Sequence, residues 1–216
     1  MAESFVAGRA GAAASPVARS RGRLWPLVGI VAGPLALAAL GTTHPMHLDG
    51  GTAGWWFHLH LLLIPLFPLL GINLWWLLAG ERGPLAWVGR VAAFVYLTFY
   101  GGLDLLAGVA AGLVRDRATQ GGTGEFANVE PWLFMTGNQL GDIGAYAFLL
   151  GAALTGGLLL ARHGGRAAPG AALLLLAALL FTRSHIYFPV GVGAMLLLAV
   201  GCGWLQWVRL GAAARG

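Results

Sequence analysis

Histidines are concentrated in one short stretch of the sequence. Four of the six, His44, His47, His58 and His60, lie between residues 44 and 60. Imidazole is the commonest protein ligand for transition metals, and it also exchanges protons near neutral pH. The stretch therefore indicates either a metal centre or proton chemistry.

Helical geometry limits which of these histidines can share one centre. His58 and His60 are two residues apart, about 200° around a helix, so at most one of them should join a common site. A carboxylate and a histidine from further along the chain complete the predicted metal-ligand set, which is drawn from His44, His47, His58, His60, Asp49 and His185. Imidazole with carboxylate suits zinc, copper, iron or nickel, and the thioether of Met46 would favour copper.

Haem is the second cofactor that these residues could hold. His60 lies in the second apolar segment and His185 between the fifth and the sixth, and the two could supply the axial ligands. Arg183, two residues before His185, could pair with a propionate. The alternative is that the histidines only lie at the membrane interface, at the level that Trp55 and Trp56 indicate.

Two aspartates interrupt apolar segments at a similar depth. At 1.5 Å per residue, Asp104 and Asp142 are both expected roughly 15 Å below the outer surface, near the bilayer midplane. A carboxylate there costs at least about 2.5 kcal/mol to insert, so it is a functional candidate. Asn138 lies one helical turn from Asp142, which gives the predicted catalytic set Asp104, Asp142 and Asn138. Alternatively, the aspartates bond to Asn138, Thr98 or backbone and only hold the bundle together.

The composition places all of these residues in a membrane protein. Hydrophobic residues make up 58% of the 216-residue chain and charged residues only 10%, against about 25% charged in soluble domains. All 13 basic residues are arginine, which excludes a lysine Schiff base to retinal or pyridoxal phosphate. The arginines form no basic face, so nucleic acid is not an expected partner. Cys202 is the only cysteine, which excludes an intrachain disulfide and cysteine-based metal clusters.

Six apolar segments of membrane-spanning length predict an all-α, polytopic membrane helix bundle. Residues 1–22 are expected to be a disordered basic tail, residues 23–209 the six-helix transmembrane domain, and residues 210–216 a short cytoplasmic tail. The first segment could instead be a cleaved signal sequence, but its apolar run is longer than the usual signal core. The predicted segments are Leu24–Gly41, Phe57–Ala79, Val91–Val114, Pro131–Leu160, Ala167–Thr182 and Ile186–Val208.

Small residues four apart occur in two of these segments. Gly108 and Gly112 lie in the third segment, and Gly137 and Gly141 lie in the fourth. Such spacing lets helix backbones approach closely. The pairs favour close packing of these two helices against each other.

The arginines also predict an orientation in the cell membrane. With the N-terminus inside, ten arginines lie on the cytoplasmic side and three on the other, as the positive-inside rule requires. Tryptophans near both ends of the segments match an interfacial aromatic belt. Both termini are therefore expected in the cytoplasm. Five of the six histidines then lie near the outer side, and His163 lies in an inner loop.

Four functions stay open at this point. The first is metal or haem binding by the outer histidines above the carboxylates. The second is proton- or ion-coupled transport of a small solute, with the prolines of the second segment lining the path; six helices would then need a homo-oligomer. The third is an intramembrane isomerase, cyclase or hydratase in which Asp104 and Asp142 share a proton over a lipophilic substrate. The fourth is a structural role within the lipid bilayer.

Overall fold

The chain folds as a bundle of helices. The computed structural model describes residues 16–121 and 128–213, and within these ranges no strand occurs. A π-helix (Asp104–Ala110) joins α3 to α4, and a 3-10 turn (Gly164–Arg166) follows α5. The α-helices are α1 (Pro16–Gly41), α2 (Ala53–Leu77), α3 (Pro84–Leu103), α4 (Ala111–Thr119), α5 (Val129–His163), α6 (Ala168–Ser184) and α7 (Val190–Ala213).

The predicted membrane helix bundle is confirmed. Five helical runs are long and apolar enough to cross a membrane: α1 from Leu24, α2, the continuous run Pro84–Thr119, the run Val129–Arg166, and α7. The fifth predicted segment, Ala167–Thr182, corresponds to α6, which has 17 residues. A helix of that length is at the low end of what spans a bilayer, as its short apolar run in the sequence predicts.

The first and last helices reach the outer ends of the described ranges. Helix α1 begins at Pro16, so residues 16–22 are helical, and residues 1–15 lie outside the described ranges. Helix α7 continues to Ala213, and residues 214–216 lie outside the described ranges.

Glycines set the distance between the central helices. A Cβ built on Gly137 would lie 2.9 Å from Ala107, and one built on Gly141 would lie 2.8 Å from Leu103. These glycines therefore let α5 approach α3 and the π-helix closely, as their spacing predicts. Gly108 and Gly112 pack differently from the expectation, because they contact His60 and Phe57 of α2 rather than α5.

Buried polar side chains tie the helices together where water is absent. The Asn73 amide of α2 donates a hydrogen bond to the Ile30 carbonyl of α1, at 2.7 Å. The Tyr96 hydroxyl of α3 donates to the Phe67 carbonyl of α2, at 3.1 Å. Hydrocarbon offers no partner for a free carbonyl or hydroxyl, so such bonds fix the rotation of each helix and, with it, the faces that form the site.

Candidate metal centre

Three histidines from three separate parts of the chain meet at one end of the bundle. His44 follows α1, His60 lies near the start of α2, and His185 follows α6. One ring nitrogen from each lies within 4.8 Å of the others. The His44 ring centroid is 5.0 Å from that of His60 and 5.4 Å from that of His185. The helix ends therefore converge to form a three-imidazole cluster.

Each of these imidazoles is held by its Nδ1 atom. In His44, Nδ1 donates to the Pro45 carbonyl at 2.8 Å, and in His60 it donates to the Trp56 carbonyl at 2.7 Å. His185 Nδ1 shares a hydrogen bond with the Tyr100 hydroxyl. Metal-ligating histidines usually have one nitrogen anchored in this way, which fixes the tautomer and the direction of the other nitrogen. In this cluster Nε2 is the nitrogen left to bind a ligand.

A buried carboxylate lies beside the cluster. Asp104 is 1% exposed, and its Oδ1 atom is 4.0 Å from His60 Nε2. Among the described residues, neither oxygen of Asp104 nor the Nε2 atom of His44 has a hydrogen-bond partner. An unpaired buried carboxylate is costly unless a proton or a cation joins it. The three unsatisfied atoms therefore leave a position beside the histidines that a proton or a cation could occupy.

Asp104 is the first residue of a π-helix. This segment widens the helix over seven residues, and such segments are frequent at functional sites. Trp56 donates from its indole nitrogen to the Ala107 carbonyl within the widened turn, at 3.1 Å. Gly108 lies directly against the His60 ring, because a Cβ there would overlap the ring carbons and lie 2.8 Å from His60 Cβ.

A small cavity adjoins the cluster. Its volume is about 100 Å³, and the residues that line it include Trp56, His60, Asp104, Asn138, His185 and Tyr187. The Tyr187 ring also packs against the His44 ring, with 4.5 Å between centroids. The cavity has space for water or another small ligand beside the histidines.

His44 and His185, the two cluster histidines outside the helices, are affected by burial, and His185 also has a strained backbone. His185 has φ 47°, a conformation that side-chain-bearing residues rarely adopt and that clusters at functional sites. Burial lowers the pKa of His185 well below its usual value, and nearby His44 and His60 lower it further. Burial likewise lowers the pKa of His44. Both rings are therefore neutral at physiological pH, which is the form that binds metal.

Four residues that the sequence suggested as metal ligands lie outside the cluster. His47 and His58 are exposed, and His58 Nδ1 bonds to the Gly54 carbonyl instead. Met46 is 60% exposed. Asp49 accepts hydrogen bonds from the Gly51 and Thr52 amides, which lower its pKa and close the turn before α2. Of His58 and His60, only His60 lies in the cluster.

The second aspartate does not share the cavity of the first. Asp142 is exposed and lines a separate cavity of about 150 Å³ together with Arg183, which is also exposed. Asn138 and His185 line both cavities. The structure thus brings Asp104 to the histidines and places Asp142 on the other side of Asn138.

Tyr100 and Tyr187 were not predicted as site residues, and Trp56 was expected only to mark the membrane interface. Tyr100 is 85 residues from His185 in the sequence, so no local spacing marks their contact. The fold and the cluster define the chain as a polytopic membrane helix bundle with a three-histidine cluster that could bind a metal. Comparison with protein-family models, curated proteins and solved structures finds no match.

Proposed function

We propose that the protein is a membrane metal-binding protein that holds one first-row divalent ion through His44, His60 and His185. The observation that carries this proposal is the convergence of three anchored imidazoles, with ring nitrogens within 4.8 Å of one another. Asp104 adds a buried carboxylate that offsets part of the ion's charge. Three protein ligands with an adjoining cavity are typical of open zinc sites, in which the fourth position holds water or substrate.

Zinc and copper(II) are the ions that this donor set suits best. Imidazole nitrogen with carboxylate oxygen matches both. The exposed thioether of Met46 is not part of the cluster, so the feature that favoured copper in the sequence does not distinguish copper from zinc. Haem fits less well, because the cavity of about 100 Å³ is smaller than the roughly 300–1,000 Å³ of pockets that hold larger organic ligands.

Metal analysis of the protein purified in detergent tests the proposal. We expect one zinc or copper ion per chain after reconstitution, measured by mass spectrometry of the elements. Cobalt(II) substitution should give the intense visible bands of a four-coordinate site. The variants His44→Ala, His60→Ala and His185→Ala should each lose the ion.

His58→Ala is the matched control. It removes an exposed histidine two residues from His60 on the same helix, so it should keep full metal content. A wild-type protein that takes up no ion, or an equal loss of metal in His58→Ala and His60→Ala, would refute the proposal.

Proton-coupled transport is a second candidate, favoured by the buried His60 and Asp104 pair. Carboxylates inside a membrane commonly belong to proton or ion pathways. Flux of protons into vesicles that contain the protein would then depend on Asp104, and Asp104→Asn should abolish it. Unchanged flux in that variant would eliminate this candidate. The acid–base enzyme has less support, because Asp104 and Asp142 line different cavities.

A further inference from the structure

A second polar cavity lies at the other end of α2, far along that helix from His60. Its volume is about 390 Å³, and it lies between the ends of α2, α5 and α7. Apolar residues near the end of α7 form part of its wall. Its polar and aromatic lining comes from Trp76, Glu81, Arg162, His163, Gln206 and Arg209.

One arginine of this cavity is fixed in place without a carboxylate partner. Arg209 donates to the Trp76 carbonyl at 2.8 Å, to the Ala79 carbonyl at 2.6 Å and to Gln206 Oε1 at 3.0 Å. These bonds hold the guanidinium against the end of α2. They are made to neutral acceptors, and within the described ranges Arg209 forms no ion pair.

The remaining charges leave the cavity positive. Glu81 accepts a hydrogen bond from Arg162 at 2.6 Å, and the two charges cancel. Arg209 therefore contributes an uncompensated positive charge, and His163 adds a further imidazole donor. Arg162 is 55% exposed and meets Glu81 through one terminal nitrogen, so its other donors are free for a second acceptor.

We propose that this cavity binds a phosphate group through Arg162, His163 and Arg209. Arginine pairs with phosphate through charge-assisted hydrogen bonds of matching geometry. The cavity lies at helix ends beside Trp76, at the level where lipid headgroups occur. Basic pockets between membrane helices are suited to anionic headgroups. The phosphate can come from an anionic phospholipid or from free phosphate, and the apolar wall favours the lipid.

Native mass spectrometry of delipidated protein, together with thermal unfolding, tests this site. Phosphatidylglycerol is the anionic probe, phosphatidylcholine is the zwitterionic control, and inorganic phosphate is the third arm. We expect retained phosphatidylglycerol adducts and a raised melting temperature, with weaker effects of phosphatidylcholine. Binding of inorganic phosphate with the same dependence on the arginines would also support a phosphate site, and would identify the free anion as its ligand.

Two substitutions with opposite expected effects on phosphate binding separate binding from folding. Arg162→Gln should weaken binding about five- to tenfold, as expected for the loss of one basic contact. Glu81→Gln removes the carboxylate that competes with phosphate for Arg162, so it should strengthen phosphate binding. Both variants break the same ion pair. A purely structural ion pair would make the two variants behave alike.

Arg82→Gln is the control, because it removes the same positive charge as Arg162→Gln. Arg82 follows Glu81 on the same turn, is exposed, and does not line the cavity. Equal weakening in Arg82→Gln and Arg162→Gln, or binding of neither phosphatidylglycerol nor phosphate to the wild type, would overturn the proposal.

Discussion

Substitution of Gly108 should damage the metal centre without touching a ligand. A Cβ at this position would overlap the His60 ring and lie 2.8 Å from His60 Cβ. Ordinary carbon–carbon contact is about 3.5 Å, so His60 Cβ and the α2 backbone would have to retreat by about 0.7 Å. Binding sites tolerate displacements of only about 0.5 Å. Gly108→Ala is therefore expected to move one ligand out of position.

The size of the effect follows from the same geometry. Overpacking costs about 1–3 kcal/mol, while alanine in place of glycine returns up to about 1 kcal/mol of helix propensity. The variant should therefore fold with modest loss of stability. Its affinity for zinc should fall at least about 10–100-fold, the loss usual when ligand orientation is disturbed.

A competition titration of zinc against a chromophoric chelator measures this affinity in detergent. The control is Gly101→Ala, in the preceding helix, where a Cβ would meet nothing within 4 Å; it should bind zinc like the wild type. Wild-type affinity in Gly108→Ala would refute the reasoning, because His60 would then not be held where the ion binds.

Three further substitutions test the supports of the site and of the bundle. Tyr100→Phe removes the hydroxyl that holds His185 and should weaken zinc binding about 10–100-fold in the same titration; an unchanged affinity would show that the ring needs no anchor. Asn73→Leu leaves the Ile30 carbonyl buried and unpaired, so thermal unfolding should show a loss of about 1–3 kcal/mol, and no loss would contradict the hydrogen bond. Gly144→Ala places a Cβ 2.7 Å from the Tyr100 backbone nitrogen and should cost about 1–3 kcal/mol in unfolding, which a neutral result would disprove.

The fold could be predicted because it depends on local properties of the chain. The length of each apolar segment is enough to count the helices, and the low proportion of charge requires a bilayer around them. Even the short helix α6 is evident from the fifth apolar segment. The rotation of each helix about its axis is not evident in this way, because it depends on contacts such as that of Asn73 with Ile30.

The candidate site shows where this limit lies. The spacing of His58 and His60 separates them onto two faces, but only packing decides that His60 is the buried one. Asp104 and Asp142 look equivalent in the sequence, since both interrupt apolar helices at similar depth. In the structure only Asp104 lies beside the histidines. A π-helix begins at Asp104, and no residue pattern in the sequence predicts it.

The π-helix also acts on the third span like the insertion of one residue. A π-turn holds one residue more than the α-helical turn it replaces, so the helix before Asp104 and the helix after Ala110 follow different registers. Removing one residue from this segment would restore a regular helix and rotate one part against the other by about 100°. Gly112 would then no longer face Phe57 while Gly102 still faced Leu140. The two halves of this span can therefore pack against different neighbours, and a single extra residue allows this.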